Sequence, residues 1–271
     1  MFDAPLPPSD HALMQDRSFA AALLLCGEHT VTLPSGLTLL NRRIMGVPVL
    51  MLPRAVPPPD LGAQLAHAGL HRRLLILSPE TPAPMPRALR VAAPRMLLQI
   101  DLRGDDDTRR AALHQNWRHQ LGQAERADMR ILHRALTPDH RLLTLEAEQS
   151  RARRYQNWPT ALTAAFARVA PEQTHLFTAI LRGYEVAHML FLTHGNRATY
   201  HIGHTTDAGR SHHAHNLLLW QAINMLAARG ITTLDLGPET RPNIDRFKRR
   251  AGAHGVQTGG TWMRWTPFAL R

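Results

Sequence analysis

Lysine is almost missing from this chain: of the 32 Lys and Arg among its 271 residues, Lys248 is the single lysine and all the others are arginine. Acids are also short, at 21, which leaves a formal charge of +11 with histidine neutral. A surface charged through arginine favours anionic partners, because the planar guanidinium fork binds two oxygens of a phosphate or carboxylate at once. A CoA phosphate, a nucleotide-linked substrate, tRNA and a lipid surface all fit that charge, as does a merely solvated basic exterior. Neither a helix-turn-helix nor a zinc-finger nor an RNA-binding signature is present, so DNA is not an expected partner. One cysteine, Cys26, excludes an internal disulfide and suits a reducing compartment. Aromatics make up only 6%, so the core has to rest on Leu, Ala, Val and Ile. Long apolar runs are absent too. The stretch FAAALLLCG (Phe19 to Gly27) is far too short to span a bilayer. The acidic, proline-rich start MFDAPLPPSD lacks the features of a secretory signal, which makes a cytoplasmic protein the expectation.

What remains is a hydrophobic fraction of 44%, enough for a sizeable core in one large or two small domains. Met1 to Asp10 reads as a flexible leader. Asp16 to Gly27 reads as a helix, followed by strands over Thr30 to Leu40 and Val47 to Pro53, with a turn at Pro34-Ser35-Gly36. A helix from Asp60 to His71 leads to the strand Leu74 to Leu77 and a proline-rich loop, Pro79 to Pro86. After a strand over Met96 to Leu102, the acids Asp105-Asp106-Asp107 open a helix that runs through Ala127. Acids at a helix start cap free N–H groups more often than they bind metal. A strand (Met129 to Arg134) and two helices (Pro138 to Tyr155, Thr160 to Ala170) complete the middle.

The last hundred residues carry the clearest pattern. Strands His175 to Leu181, Glu185 to Thr193 and Ala198 to His204 are joined by the turns Arg182-Gly183 and His194-Gly195-Asn196. A loop precedes a long helix, His215 to Arg229, which Gly230 ends. A strand over Ile231 to Leu236, a short helix from Asn243 to Ala251 and a strand from Val256 to Trp265 follow. This order predicts an α+β (mixed α/β) fold with a mixed sheet flanked by helices, in which Ile231 to Leu236 runs parallel to Ala198 to His204. Where two parallel neighbours splay, their facing backbone groups lose partners and can bind an extended ligand. A helix starting just past the third strand offers free N–H groups to a pyrophosphate.

The block HNLLLWQAINMLAARGITTLDLG followed by IDRFKRRAGAHGV resembles the C-terminal signature of FemAB-like members of the GNAT superfamily. The matching positions are Leu218-Leu219-Trp220, Gly230, Asp235-Leu236-Gly237, Phe247-Lys248 and Ala251-Gly252. Upstream, NWRHQLGQAERADMRI (Asn116 to Ile131) resembles that family's Arg-rich helix and strand, so the likeness covers roughly Met96 to Trp265. The resemblance implies two GNAT-type lobes, here a reduced lobe over 1–95 and an acyltransferase lobe over 96–271. It implies transfer of an acyl group from acyl-CoA, as co-substrate and without metal, to a small-molecule amine. The alternatives it leaves open are aminoacyl-tRNA-dependent transfer onto a cell-wall peptide, and a non-catalytic binder of anionic ligands. The resemblance also places Lys248 in the substrate channel, stabilising developing negative charge.

Acyl transfer to an amine needs a way to remove a proton and a donor for the oxyanion. Asp235 at a strand end and His204 near the third strand's end are the candidates to orient the amine or accept its proton, alongside Lys248. Asp235 as a cap for the following loop is the plainer alternative. Ile202 and Gly203 on the third strand, and Gly209, Arg210, Ser211 and His212 beyond it, are the candidate donor-binding positions. Trp117, Arg118, Tyr155, Trp158 and Arg246 are the candidate acceptor-binding residues, with Asn157 beside them. Histidine is abundant, at 17, but neither HExxH nor a paired Cys-His spacing occurs, so no metal site is expected. The oligomeric state is not written in the sequence.

Overall fold

The computed structural model describes residues 10–265; apart from Asp10, the expected leader lies outside the described residues. The chain begins with α1 (Arg17–Leu25), whose N-cap Asp16 accepts from the Ser18 amide. Next come β1 (His29–Thr32), β2 (Thr38–Ile44), β3 (Val47–Pro53), α2 (Leu61–His67), β4 (Leu74–Ser78) and β5 (Leu89–Ala92). β6 (Met96–Asp101), α3 (Asp106–Ala111), α4 (Gln115–Arg126), β7 (Met129–Arg134), α5 (Arg141–Arg153) and α6 (Thr160–Val169) form the middle. The C-terminal part holds β8 (Thr174–Leu181), β9 (Tyr184–His194), β10 (Arg197–Thr205), α7 (Asp207–Ser211), α8 (Ala214–Ala228), β11 (Thr233–Pro238), α9 (Pro242–Arg250), β12 (His254–Gln257) and β13 (Thr261–Arg264).

Two mixed sheets result. One has the order β1-β2-β3-β4-β13-β5 and the other β12-β6-β11-β10-β9-β8-β7. The expected meander of three antiparallel strands is β8-β9-β10, and β11 lies parallel to β10 as the segment order required. The second sheet is apolar on both faces. Phe177, Met189, Phe191 and Leu234 pack with Trp117, Leu218 and Trp220 of α4 and α8. Leu176, Leu190, Leu192 and Ile202 pack on the other face with Phe19, Leu142 and Phe166 of α1, α5 and α6. The first sheet has its own smaller core around Leu39, Leu50, Leu61 and Leu75.

Three details depart from the sequence reading. The helix expected from Asp105 to Ala127 is two helices, because His114 caps α4 by accepting the Asn116 amide through Nδ1, while Asp105 caps α3. The single strand expected over Val256 to Trp265 is two strands, β12 and β13, which belong to different sheets. Gly259 and Gly260 allow that crossing: a Cβ on Gly259 would overlap Pro79, and Gly260 has φ of +81°. Finally, the N-terminal helix α1 packs on α6 and so adds to the core of the larger sheet.

Three histidines are buried in this frame and a fourth, His201, is largely covered. His175 touches Thr193, His188 touches Thr178, His194 lies between the His11 carbonyl and Thr199, and His201 touches Thr163. Burial lowers each of them to about 4, so all are neutral in the folded protein near neutrality. An unfolded chain protonates histidine near 6.5, and therefore binds more protons than the folded chain between 6.5 and about 4. The associated stability is complete above 6.5, is lost as pH falls through that window, and levels off below it. The loss is at most roughly 3 kcal/mol per histidine. We expect the melting temperature to fall steeply across this range, and His194→Gln to flatten part of the fall, as thermal unfolding at stepped pH will measure.

Candidate active site

β10 and β11 are paired only where Arg197, Ala198 and Thr199 face Thr233, Leu234 and Asp235. Beyond that rung the strands part. β10 stays with β9 through a register shift between Tyr200 and Ile202, and β11 stays with β6 through a shift between Asp235 and Pro238. A cleft of about 950 Å³ fills the fork and reaches both faces of the sheet. Its walls include Tyr200, Ile202 and Gly203 on one side and Leu236, Gly237 and Pro238 on the other. Gly203 leaves room for the Tyr200 hydroxyl, which a Cβ there would overlap. That hydroxyl has no hydrogen-bond partner among the described residues, and burial raises its pKa.

Lys248 projects from α9 into the cleft and is 6% exposed. Its Nζ donates to the Pro238 carbonyl over 3.2 Å. Burial lowers its pKa, while Asp245, Asp235 and Glu239 oppose that shift. Asp235 stands on the last paired rung. Its Oδ1 accepts the Gly237 amide over 2.7 Å, and Gly237 has φ of +80°, the left-handed turn that a glycine allows. Its Oδ2 accepts from Arg54 of the first lobe at 2.7 Å. Arg54 also donates to Glu80 at 2.7 Å, and Glu80 accepts from Arg197 at 2.9 Å. Thus both oxygens of Asp235 are engaged, in the loop-capping manner and in a buried ion network between the lobes.

On the α5 side, Glu146 is a second buried carboxylate, 6% exposed. It accepts from Tyr155 Oη at 2.9 Å and from Asn157 Nδ2 at 2.7 Å, and it has no ion-pair partner among the described residues. Burial and the nearby Glu146 push the Tyr155 hydroxyl up to about 12, so it stays a donor. Gln149 donates to Tyr155 and to the Gly203 carbonyl. Trp158 packs against Phe19 and His201, with ring centres 4.9 and 4.5 Å away.

Of the residues singled out from sequence, Lys248, Asp235, Ile202, Gly203, Gly209, Arg210, Tyr155 and Trp158 line this one cleft, as does Asn157. His204, Ser211, His212, Trp117, Arg118 and Arg246 are not among its lining residues. Strand alternation turns the His204 ring to the face of His188, 6.2 Å away, while its carbonyl accepts from His215. Trp117 is fully buried against Phe247 in the core, and Arg118 and Arg246 are exposed on their helices. The expected phosphate loop is itself a helical turn, α7, capped by Thr206. Within it the amides of Gly209, Arg210, His212 and His213 already donate to Thr206, Ala208 and Arg210. Gly209 is needed for close packing, since a Cβ there would overlap the Val186 carbonyl of β9.

Sequence reasoning passed over Glu146, Gln149, Tyr200, Arg54 and Glu80. Glu146 had a readable signal: it lies three and four residues past Leu143 and Leu142, on the apolar stripe of its helix. Arg54 and Glu80 had none, because they reach Asp235 only through the meeting of two lobes.

A family model described as an Acetyltransferase (GNAT) domain matches residues 87–249. No curated protein sequence matches the chain. Among solved structures, FemX is similar with a TM-score of 0.75 at 11% identity, over 97% of this chain and 94% of that one. A conserved protein of unknown function from Bacteroides thetaiotaomicron gives 0.66 at 12%, over 94% and 92%. The C-terminal domain of a putative lysylphosphatidylglycerol synthetase from Agrobacterium fabrum gives 0.57 at 13%, over 93% and 88%. These likenesses show the two-lobed fold expected from the FemAB-like resemblance.

Removing one member of a buried ion network strands the others without compensation, at a cost of about 3–5 kcal/mol. Arg54→Ala is therefore expected to lower stability by that order, with Arg54→Lys recovering part of it, as urea unfolding will measure.

Proposed function

The chain belongs to the GNAT acetyltransferase domain family, and from that premise we propose that it is an N-acyltransferase moving an acyl group from acyl-CoA to a small-molecule amine. The observation that carries this reading is the fork between β10 and β11, with a cleft that joins Lys248 to Glu146. In the proposal, an extended thioester arm lies along the unpaired part of β10 and takes the hydrogen bonds that β11 does not. The amine nitrogen attacks the thioester carbonyl, a C–N bond forms and the carbonyl oxygen gains negative charge. The Lys248 ammonium, held by the Pro238 carbonyl, faces that charge. The amine's proton passes to Glu146, whose carboxylate is fixed by Tyr155 and Asn157. The C–S bond then breaks, and the thiolate takes a proton from water or the one that Glu146 has accepted, which returns Glu146 to its carboxylate.

A second donor, aminoacyl-tRNA, is favoured by one feature: the Gly209, Arg210 and His212 amides are already taken, and Arg153, Arg210 and Arg241 at the cleft offer side chains to phosphate instead. In that reading the acceptor is a cell-wall peptide amine. The third reading, an anionic-ligand binder without catalysis, has no observation that favours it over the other two.

With acyl-CoA and an amine panel, release of free thiol is the expected signal. Lys248→Ala is expected to lower kcat by about a hundredfold or more, and Glu146→Gln by a similar factor with a loss that added base does not mask. Folding of both variants is checked by circular dichroism. Turnover in Lys248→Ala equal to the parent removes that residue from the mechanism. Activity that requires charged tRNA, disappears with ribonuclease and falls steeply with salt replaces the CoA reading by the second one.

A further inference from the structure

The first sheet has two ends. One carries Arg54 to the cleft, with Glu80 behind it bonded to Arg54 and Arg197. The other has no part in it and is built quite differently. There, β2 and β3 meet in a two-residue turn, Met45-Gly46, in which both residues have positive φ, 50° and 83°. Asn, Asp and Gly suit that position best. The chain instead places methionine there, 98% exposed, between Ile44 and Val47, which are themselves half exposed.

Strand register brings other groups to the same end. β4 begins at Leu74 opposite Val49, so Arg72 and Arg73 lie beside the base of the hairpin. β13 runs antiparallel to β4 with Arg264 opposite Leu75, which sets Trp265 level with the start of β4, 63% exposed. Arg42 and Arg43 flank the apolar tip from within β2. Asp60 and Glu80 sit at the opposite end of the sheet, since Asp60 contacts Gln64 beside the β1–β2 turn and Glu80 follows the far end of β4. Glu28 stands 3.8 Å from Arg42.

We propose that this end of the first sheet docks peripherally on an anionic lipid bilayer, with Met45, Ile44, Val47 and Trp265 entering the interfacial layer and the arginines meeting lipid phosphates. An apolar tip ringed by cations is the chemistry of interfacial binding, in which buried apolar area and attraction to anionic headgroups add. Tryptophan is the side chain that best tolerates such a boundary, with an apolar body and one polar N–H. Among the described residues no helix is long and apolar enough to cross a membrane, so the contact is a surface one. The inference is independent of the acyl-transfer reading, because none of these residues lines the cleft.

The test is sedimentation of the whole chain with vesicles of phosphatidylcholine alone, or with roughly a third phosphatidylglycerol. Binding to the anionic vesicles only is expected. Met45→Asp should weaken it by about tenfold or more, and Asp suits the left-handed turn, so the fold is kept. Trp265→Ala and the Arg42→Gln, Arg43→Gln pair should each weaken it as well, the pair more strongly at low salt. Protein left in the supernatant with anionic vesicles overturns the proposal. Binding that Met45→Asp and Trp265→Ala leave unchanged overturns it too, as it would come from diffuse charge alone.

Discussion

Everything at this site follows from where two parallel strands stop pairing. The last shared rung joins Thr199 to Asp235, and the carboxylate on that rung is the one that Arg54 reaches from the other lobe. The fork therefore has a fixed vertex. On one side of it the backbone is closed by ladder hydrogen bonds; on the other, β10 and β11 are each drawn away by a register shift against their outer neighbours. Opening a sheet in its middle exposes backbone groups that must find partners. Side chains supply some of them, as Gln149 does for the Gly203 carbonyl and Lys248 for the Pro238 carbonyl. In the proposed reading an extended ligand partners the remainder.

The vertex gives the smaller lobe a function that its size does not advertise. It contributes no wall of strands to the cleft, but it supplies Arg54 and, through Glu80, holds Arg197 at the start of β10. β13 ties the two sheets covalently, and the ion network ties them by charge at the site itself. An ion pair that is partly buried costs desolvation, so such a network fixes geometry more than it adds stability. Here it joins the first lobe to Asp235 on β11 and to Arg197 on β10, the two strands that part at the fork.

How far the sequence could be read depended on whether a feature was local. The meander, the crossover helix and the parallel return follow from alternation, turns and the stop at Gly230, and each is within a few residues of its place. Lys248, Tyr155 and Trp158 were legible because a motif or an odd residue marked them. The candidate donor-binding positions Gly209 to His212 are harder to read, because one glycine among polar residues suits a ligand loop and a packed helical turn equally well. In the structure Gly209 is there to let α7 pack against β9, and the amides close on themselves. His204 pairs with His188 near the end of β10, with the two rings 6.2 Å apart, and that cross-strand neighbour is not readable from its own segment. The Asp235–Arg54 contact joins positions 181 residues apart, and no pattern within either segment announces it.

The solitary lysine is best understood against the arginines around it. In the run Arg246-Phe247-Lys248-Arg249-Arg250, the lysine is buried while Arg246 and Arg249 are exposed and Arg250 is only partly covered. A guanidinium is broad and planar, stays charged in almost any surroundings, and spreads its donors over a fork. An ammonium is a compact point charge whose pKa burial can lower, as happens here. The space beside Pro238 admits one donor aimed at one carbonyl, with the rest of its hydrogen-bonding capacity turned to the cleft. Lysine thus stands where the cation is compact, buried and directed at one carbonyl, while the arginines beside it keep more of their surface in solvent.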